Sequence, residues 1–536
     1  MIQMNSQGIA GPERSISGAD ATGVDGAVSA LGEKGQAAVV AYLASGHAFG
    51  GPPPEQIETH AARIFLAGNR AWKLKRAVRY PYLDFSTPEQ RRDALRAELT
   101  LNRRTAPDLY LGIWPITRIP DGGLQIGEAG EAVDWLLEME RFPQSALFSE
   151  MAKSGTLDED LLVRLADRIF SFHEAAEPIL VQDGAERLRR VIKGNLASSI
   201  LYPSILPQAA VDALISWQLG TLARHSTLLD ARGKGGRIRR CHGDLHLANL
   251  ALIGGEPTLF DCLEFDSELA CIDALYDLAF LLMDLWERGQ HRQANIVFNR
   301  YLDLSAGDES AVGLLPLLMS IRASVRAHVL AATATNPADP SAQRAVAYLA
   351  LASLPLSPKE PMLVAIGGLS GTGKSSLARA LAAEIGNPPG ARVVRTDVLR
   401  KRIAGVPPES RLPRKSYTPT ASRTVYAAAF DLARQAVAHG TSVIIDAVFG
   451  DADERATVMS LSETGAPVRA LWLTAPLSTR LERIAGRARD ASDADEAVAR
   501  AQTEPAADTL GGWHLLPCGA SLADTLSGAK TLLGLP

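Results

Sequence analysis

Two kinds of hydrophobic pattern divide the chain. Up to about residue 353 the apolar positions fall into a strand–turn–strand opening, several helices and one further hairpin; beyond residue 361, short apolar runs alternate with helical patterns. In the first part, ARIFLAGNRAWKLKRAV carries two apolar runs around Ala67, Gly68, Asn69 and Arg70, a hairpin signal. PEQRRDALRAELTLNRRT predicts a helix, VDWLLEMERFP a strand running into a connector, and RAVAYLALAS a closing helix. CHGDLHLANLALIGGEPTLFDCLEFD reads as a loop and a short hairpin turning at Gly254–Gly255. In the second part MLVAIGG, ARVVRTD, TSVIIDAVF, VRALWLT and GWHLLPC predict five strands with helices between them. Short apolar strands separated by helices are the pattern of a parallel sheet covered on both faces.

Length agrees with this division, because one hydrophobic core rarely grows past ~250–300 residues and the chain has 536. The expected layout is a flexible Gly-, Ala- and Ser-rich tail over 1–33, a first domain over 34–353, a Pro-containing linker (LPLSPKEP) over 354–361 and a second domain over 362–536. No internal repeat is evident. With 46% hydrophobic and 21% charged residues the composition is that of an ordinary soluble protein, and a formal charge of −5 argues against a globally basic nucleic-acid binder. Cys241, Cys262, Cys271 and Cys518 show no CxxC spacing, so neither a zinc site nor a disulfide framework is indicated, which fits a reducing cytosol. The N-terminus lacks the basic and apolar regions of a secretory signal. The apolar helix around Phe280–Leu285 is interrupted by Asp277 and Asp284, and no stretch is expected to reach the ~20 apolar residues of a membrane span. The expected location is the cytoplasm, with no membrane contact.

The strongest chemical signal is GLSGTGKS, Gly368 to Ser375, which matches GxxxxGK[ST] between a strand and a helix. Backbone N–H groups of such a loop curl around phosphate oxygens, and the helix N-terminus adds partial positive charge. Gly368, Ser370, Gly371, Thr372, Gly373, Lys374, Ser375 and Ser376 are the expected nucleotide contacts, Lys374 reaching the β- and γ-phosphates and Ser375 offering its hydroxyl to Mg²⁺. Asp397, at the end of the second strand of this part, is placed to accept a proton from a substrate hydroxyl, and Arg400 to hold an anion. Asp446 ends the third strand in a Walker-B-like position for Mg²⁺. Arg483 and Arg487, on a basic helix and loop, are placed to close over the triphosphate. Each also has a bland reading: a capping Asp for the acids, and a solvated helix face for the arginines.

The second signal is Cys241-His242-Gly243-Asp244-Leu245-His246-Leu247-Ala248-Asn249, which holds H-x-D-x-x-x-x-N, the spacing of a kinase catalytic loop. Asp244 would orient and deprotonate the attacking hydroxyl, Asn249 would offer an amide oxygen to Mg²⁺, and Asp261 would supply the metal carboxylate across the hairpin, with Glu264 as an auxiliary ligand. His246 reads as structural. Upstream, Lys73 and Lys75 share one strand face, either able to hold the α- and β-phosphates; Lys73 is favoured, with Glu98 on the following helix as its ion-pair partner. Val133–Met139 is read as the hinge for adenine. No GxGxxG precedes the lysines; Thr59, His60, Ala61 and Ala62 and the Gly68 turn stand where a nucleotide loop belongs. Arg322 and Arg326, four apart on a late helix, face either an anionic acceptor or ordinary salt-bridge partners, the latter being the commoner outcome.

The region 361–536, with Asp397 and Arg400 in a D-x-x-R arrangement, resembles small P-loop kinases: gluconate kinases, zeta-toxin-like kinases and the kinase part of polynucleotide kinases. The form CHGDLHLANL, with no DFG at Asp261, resembles aminoglycoside and choline kinase relatives, and Asp277 resembles that group's structural Asp. The order of WKLKRAVRYPYLDFST, LNRRTAPDLYLG, CHGDLHLANL, CIDALYDLAFLLMDL, GGLSGTGKSSLAR and DASDADEAV resembles the bifunctional aminoglycoside phosphotransferase/ATP-binding protein family over about 55–515. The resemblance implies an N-terminal α+β protein-kinase-like (aminoglycoside phosphotransferase) fold and a C-terminal α/β P-loop NTPase fold with a five-stranded parallel sheet. It also implies ATP and Mg²⁺, and phosphoryl transfer to a small-molecule hydroxyl acceptor that it does not identify. Asp266, Glu268 and Asp273 are candidates for the acidic acceptor pocket of true aminoglycoside kinases. Two further readings stand beside this one. One domain, the first by its missing glycine loop, binds nucleotide only to regulate the other; or the P-loop domain acts on nucleotides or nucleic acid through the basic cluster at 400–402 and 411–415. The sequence leaves the oligomeric state open.

Overall fold

The computed structural model describes residues 35–59, 61–80, 83–127, 129–264, 267–486, 490–519 and 521–535. The expected tail 1–33, His60, Asp266 and Arg487 lie outside the described residues, as does the side chain of Glu268. The described residues form two compact units: those up to Asp284 with Ile321–Ala352, and Leu285–Ser320 with those from Ser353 onward.

The first unit is built on a six-stranded antiparallel sheet. Its strands are β1 (Glu55–Glu58), β2 (Ala62–Ala67), β3 (Arg70–Lys75), β4 (Tyr110–Arg118), β5 (Leu124–Ile126) and β6 (Glu131–Glu140), in the spatial order β1-β2-β3-β6-β4-β5. The β2–β3 hairpin turns at Gly68–Asn69, where Gly68 takes φ 58°. Helix α1 (Pro88–Asn102) starts with a capping box between Thr87 and Gln90 and with Pro88 in its first turn, both of which satisfy or remove N–H groups left open at a helix start. Its buried face carries Arg91, Leu95, Glu98 and Asn102 at helical spacing, three of them polar. Such a face requires buried partners, and Arg91 finds one in Asp134 of β6 at 2.8 Å. Below lie α2 (Glu159–Ala175), strand β7 (Ile238–Arg240), the hairpin β8 (Leu250–Ile253)–β9 (Glu256–Leu259), strand β10 (Cys271–Asp273) and helix α3 (Ala274–Glu287). Leu95, Tyr110, Leu137, Leu147, Ala251 and Phe260 form one core cluster that joins α1, the sheet and this hairpin.

The second unit holds a five-stranded parallel sheet of β11 (Leu363–Gly368), β12 (Arg392–Arg395), β13 (Val443–Asp446), β14 (Val468–Thr474) and β15 (His514–Pro517), ordered β12-β13-β11-β14-β15. All five are the strands expected from the sequence. Val364, Ile366, Leu377, Leu381, Ile444, Leu471 and Leu473 fill the core beside the central strand β11.

Helix α4 (His291–Leu304), which the apolar pattern grouped with the first domain, clusters with the second unit. Helical periodicity announces a buried face but not the core that covers it. Asn295 Nδ2 donates to the carbonyls of Pro389 and Ala391, Asn299 Oδ1 accepts the Val393 N–H at 2.7 Å, and Arg392 pairs with Asp303 at 2.9 Å and Glu309 at 2.7 Å. Removing one member of a buried ion pair leaves a charge without compensation and costs about 3–5 kcal/mol. Glu309→Ala, which strips a partner from both Arg392 and Arg402, is therefore expected to lower the stability of this unit by that order. The check is urea unfolding; a change below about 1 kcal/mol contradicts the assignment of α4 to this unit.

By length and composition one helical stretch, Ala306–Thr333 of 28 residues, is apolar enough to cross a membrane, contrary to the expectation of none, and 94% of its most apolar window is buried within the protein. It ends in α5 (Leu315–Thr333), whose Arg322 and Arg326 are both buried.

Candidate active sites

The first cluster forms where a strand, a helix and a hairpin converge. Lys73 and Lys75, alternate residues of β3, point to the same side of the sheet, and α1 presents fully buried Glu98 to both: Lys73 Nζ lies 2.6 Å from Oε1 and Lys75 Nζ 2.7 Å from Oε2. Burial pushes the Glu98 carboxyl up, but the two ammoniums outweigh it and hold it down to about 2. Lys73 also reaches Asp261 Oδ1 at 2.9 Å, whereas Lys75 is closed off by Glu264 at 2.5 Å. The favoured lysine therefore faces Asp261, the carboxylate expected to take the metal, and Glu264, the expected auxiliary ligand, is paired with Lys75.

The β8–β9 hairpin explains how Asn249 and Asp261, twelve residues apart, come together. Leu250 pairs with Leu259, so the residues just outside the hairpin are adjacent, and the Phe260 N–H donates to the Asn249 carbonyl at 3.1 Å. Asp261 takes φ 61°, uncommon for a residue with a Cβ, and is held there from two sides. Its N–H donates to the Tyr110 hydroxyl at 3.0 Å, and the next N–H, of Cys262, donates to Asn102 Oδ1 at 2.8 Å. Neither Tyr110 nor Asn102 carries a motif; each is found only once α1 and β4 are folded against the hairpin.

Asp244 sits in the catalytic loop with Asn249 Nδ2 donating to both its carbonyl and its Oδ2 at 3.0 Å. That commits the amide nitrogen and leaves Asn249 Oδ1 as the atom for a cation. His246 Nδ1 accepts the Ala248 N–H, which puts its proton on Nε2, 3.3 Å from Asp244 Oδ2. Burial pushes the Asp244 carboxyl up, but His246, Arg326 and His242 prevail and bring it to about 2. Asp244 Oδ1 is buried without a hydrogen-bond partner. Asp277 clamps the loop from beneath, accepting the N–H groups of His242 and Gly243 at 3.0 Å and lying 3.1 Å from His173 Nε2. The buried His173, Cys241 and Asp277 group is thus the underside of the catalytic loop, its carboxylate already engaged. The oxygens of Asp261 and Asn249 are the hard donors that Mg²⁺ takes.

One expectation changes: Val133–Met139 lies inside β6, which pairs with β4 along most of its length and with β3 over Leu137–Glu140, and the connector begins after Glu140. The turn between β1 and β2 is short, with the Thr59 N–H donating to the Ala62 carbonyl at 2.8 Å and Thr59 Oγ1 accepting the Ala62 N–H at 2.9 Å.

In the second cluster the loop from Gly368 to Gly373 leads into α6 (Lys374–Ala382) from the end of β11. Gly371 has φ 87°, and a Cβ there would come within 2.6 Å of the Arg480 carbonyl, so the close approach of the following arginine helix requires glycine. Ser375 Oγ donates to Asp446 Oδ2 at 2.6 Å, joining the loop hydroxyl to the Walker-B-like carboxylate, an oxygen pair suited to Mg²⁺. Lys374 Nζ donates to the Leu369 carbonyl at 3.0 Å, across the loop it is expected to serve. From α9 (Leu477–Ala485), Arg483 donates to the Thr372 carbonyl at 3.1 Å and Arg480 to the Ser370 carbonyl at 2.8 Å. Arg480 belongs to the same basic helix that the sequence places over the triphosphate, one turn before Arg483. Helices α7 (Thr396–Ile403) and α8 (Pro419–Ala438) lie between β12 and β13 in the chain. Asp397 is the second residue of α7. Burial pushes its carboxyl up; Arg395 opposes this and Asp446 adds to it. Arg395, without a role from sequence, bridges Asp490 at 2.6 Å and Asp446 at 3.5 Å. Arg400 donates to the Ser416 carbonyl at 2.8 Å and lies 4.7 Å over the Tyr417 ring, so it anchors the 414–417 turn.

The two acids differ in a way that pH reads. A base must be deprotonated, so a raised carboxyl moves the acid limb of kcat/KM upward and a depressed one moves it downward. Activity that depends on Asp397 is expected to fall off at higher pH than activity that depends on Asp244, whose carboxylate persists down to about 2. Separate pH–rate profiles in Lys374→Ala and Asp244→Asn chains check this; the reverse order contradicts it.

Known proteins match each half. Residues 129–314 match the Phosphotransferase enzyme family and residues 363–507 an AAA domain family. The uncharacterized proteins Rv2004c of Mycobacterium tuberculosis and Mb2027c of Mycobacterium bovis are each 32% identical over 462 residues, 84% of this chain and 90% of theirs. Among solved structures, a choline/ethanolamine kinase family protein from Mesorhizobium loti covers 60% of this chain and 94% of its own at 15% identity and TM-score 0.37. A gluconokinase from Sinorhizobium meliloti 1021 covers 33% and 93% at 20% identity and TM-score 0.24.

Proposed function

The chain belongs to the bifunctional aminoglycoside phosphotransferase/ATP-binding protein family, a kinase-type phosphotransferase domain followed by a P-loop kinase domain, and on that premise we propose that it transfers the γ-phosphate of ATP to small-molecule hydroxyls at two separate sites. The observation that carries this reading is the meeting of Lys73, Glu98 and Asp261 in one unit, with the Asp244–Asn249 pair on the same loop and hairpin. In the other unit the Ser375–Asp446 pair under the phosphate loop supports it.

At the first site Lys73 holds the donor phosphates, and Glu98 keeps it charged and aimed. Asp244 orients the acceptor O–H and takes its proton as the new P–O bond forms and ADP leaves. At the second site the loop N–H groups and Lys374 hold the phosphates, Arg483 and Arg480 lie over the loop, and Asp397 accepts the proton. Asn249 and Asp261 in one site, and Ser375 and Asp446 in the other, would hold Mg²⁺, which would supply charge neutralisation on the phosphates. Positioning and electrostatics do most of the catalysis in such transfers. The proposed location is the cytoplasm; all four cysteines being free thiols supports it.

One observation favours a second reading for the first site. The short β1–β2 turn closed by Thr59 has no glycine flap to lie over phosphates, which suits a domain that binds nucleotide to regulate its neighbour. A phosphorylation screen of a metabolite pool, read by mass, separates the two. The proposal expects ATP-dependent products of two kinds, one lost in Lys374→Ala and the other in Asp244→Asn. Loss of every product in Lys374→Ala and of none in Asp244→Asn leaves only the regulatory reading.

A further inference from the structure

Behind the catalytic loop, α5 brings two buried arginines toward α3. The Arg322 guanidinium stacks 3.9 Å over the Tyr276 ring and 4.7 Å over the Phe280 ring, and its Nε donates to the Tyr276 carbonyl at 3.2 Å. Phe280 is also the ring against which His246 packs edge-on, 5.3 Å between centroids. One wall is therefore shared by α5 and the catalytic loop. Arg326 follows Arg322 by one helical turn on the same face. It is 8% exposed, lies 5.8 Å over the Tyr348 ring, and makes no ion pair within 4.0 Å among the described residues. Its Nη1 is buried without a hydrogen-bond partner, as is Asp244 Oδ1.

A buried guanidinium nitrogen with no acceptor is costly, and more so because the group is charged. Arg322, one turn away, also keeps a buried Nη2 without a hydrogen-bond partner, but it is stacked on two rings, bonded to a carbonyl and 3.9 Å from an acid, Asp277 Oδ1. Arg326 keeps its free donor one turn further along the face of α5 whose ring wall is shared with the catalytic loop, and it has no acid within 4.0 Å among the described residues. Of the three acids expected to line an acidic acceptor pocket, Asp273 is the one whose side chain is described, and it is locked to buried Arg232 by two contacts of 2.6 and 2.7 Å.

We propose that Arg326 recognises an oxyanion on the acceptor of the first site, so that this site phosphorylates a hydroxyl of a small anionic molecule, a carboxylate or a phosphate ester, rather than a polycation. This rests on the reading of Asp244 as the residue that orients the acceptor hydroxyl. The hydroxyl oxygen bonds to the γ-phosphorus, the bond from that phosphorus to the ADP oxygen breaks, the proton goes to Asp244, and the anionic group stays unchanged on Arg326. An oxyanion satisfies the Nη1 donor and, by fixing the acceptor at one end, sets which hydroxyl meets Asp244.

The test uses the full chain carrying Lys374→Ala, so that the phosphate loop is weakened in every sample, and inorganic phosphate and acetate as probes in isothermal titration. At least one of the two anions is expected to bind at a site that Arg326→Gln weakens tenfold or more and Arg326→Lys partly restores, and which anion binds tells phosphate esters from carboxylates. Identical titrations with and without Arg326→Gln overturn the inference. Should Arg326→Gln fail to fold by circular dichroism, the Arg326→Lys chain decides: unchanged affinity for both anions overturns it, and a several-fold loss supports it. Failure of the underlying reading looks different. If Asp244→Asn leaves ATP turnover untouched on every acceptor in the Lys374→Ala background, catalysis at this site is wrong whatever Arg326 binds.

Discussion

Asp244→Asn, made in a Lys374→Ala chain, is expected to lower kcat for the first site's acceptor by about 10²–10⁴-fold while leaving the Kd for ATP within a few-fold. The side chain is nearly isosteric, so Asn249 and His246 keep their places. What disappears is the carboxylate proposed to align the acceptor hydroxyl and to receive its proton as the P–O bond forms. ATP binding rests on other residues, Lys73, Glu98 and Asp261, and should persist. Stopped-flow or coupled ADP assays with parallel nucleotide titration separate the two quantities. A loss of ATP affinity equal to the loss of kcat would place Asp244 among the groups that bind the nucleotide and not at the acceptor.

Glu98→Ala carries the second large effect, on stability as well as activity. Glu98 is fully buried and contacts two ammoniums at once, 2.6 and 2.7 Å away. Its removal leaves Lys73 with Asp261 and Lys75 with Glu264, each deprived of half its compensation. The expected cost is about 3–5 kcal/mol, the range for breaking a buried ion pair by deleting one member. Lys73→Ala is expected to cost less, because Glu98 keeps Lys75, yet to weaken ATP binding more. Urea unfolding and nucleotide titration of both variants give the comparison. If Lys73→Ala were the less stable chain, the triad would be a folding device and not a nucleotide clamp.

The parts legible in the sequence were those fixed by local pattern. The β2–β3 turn, the Gly254–Gly255 hairpin and all five parallel strands announce themselves through turn residues and apolar runs, and the phosphate loop and the H-x-D-x-x-x-x-N loop through fixed spacing. Glu98 was recoverable because a helix after the lysine strand must face the sheet with something, and an acid at a buried position signals a buried cation. Residues that act across the fold left no such trace. Tyr110 and Asn102 hold Asp261 and Cys262 from 151 and 160 positions away. Arg395 meets Asp490 over a separation of 95. The placement of α4 with the second unit and of Val133–Met139 inside a central strand depends on which core claims an apolar face, and periodicity does not carry that information.

Two nucleotide sites on one chain is the claim on which the rest depends. Its most direct measurement is the stoichiometry with which a non-hydrolysable ATP analogue binds the full chain in the presence of Mg²⁺. The account predicts two equivalents for the wild-type chain, with one equivalent remaining in Lys374→Ala and one in Lys73→Ala. A single equivalent in the wild-type chain, abolished by Lys374→Ala and untouched by Lys73→Ala, would contradict it.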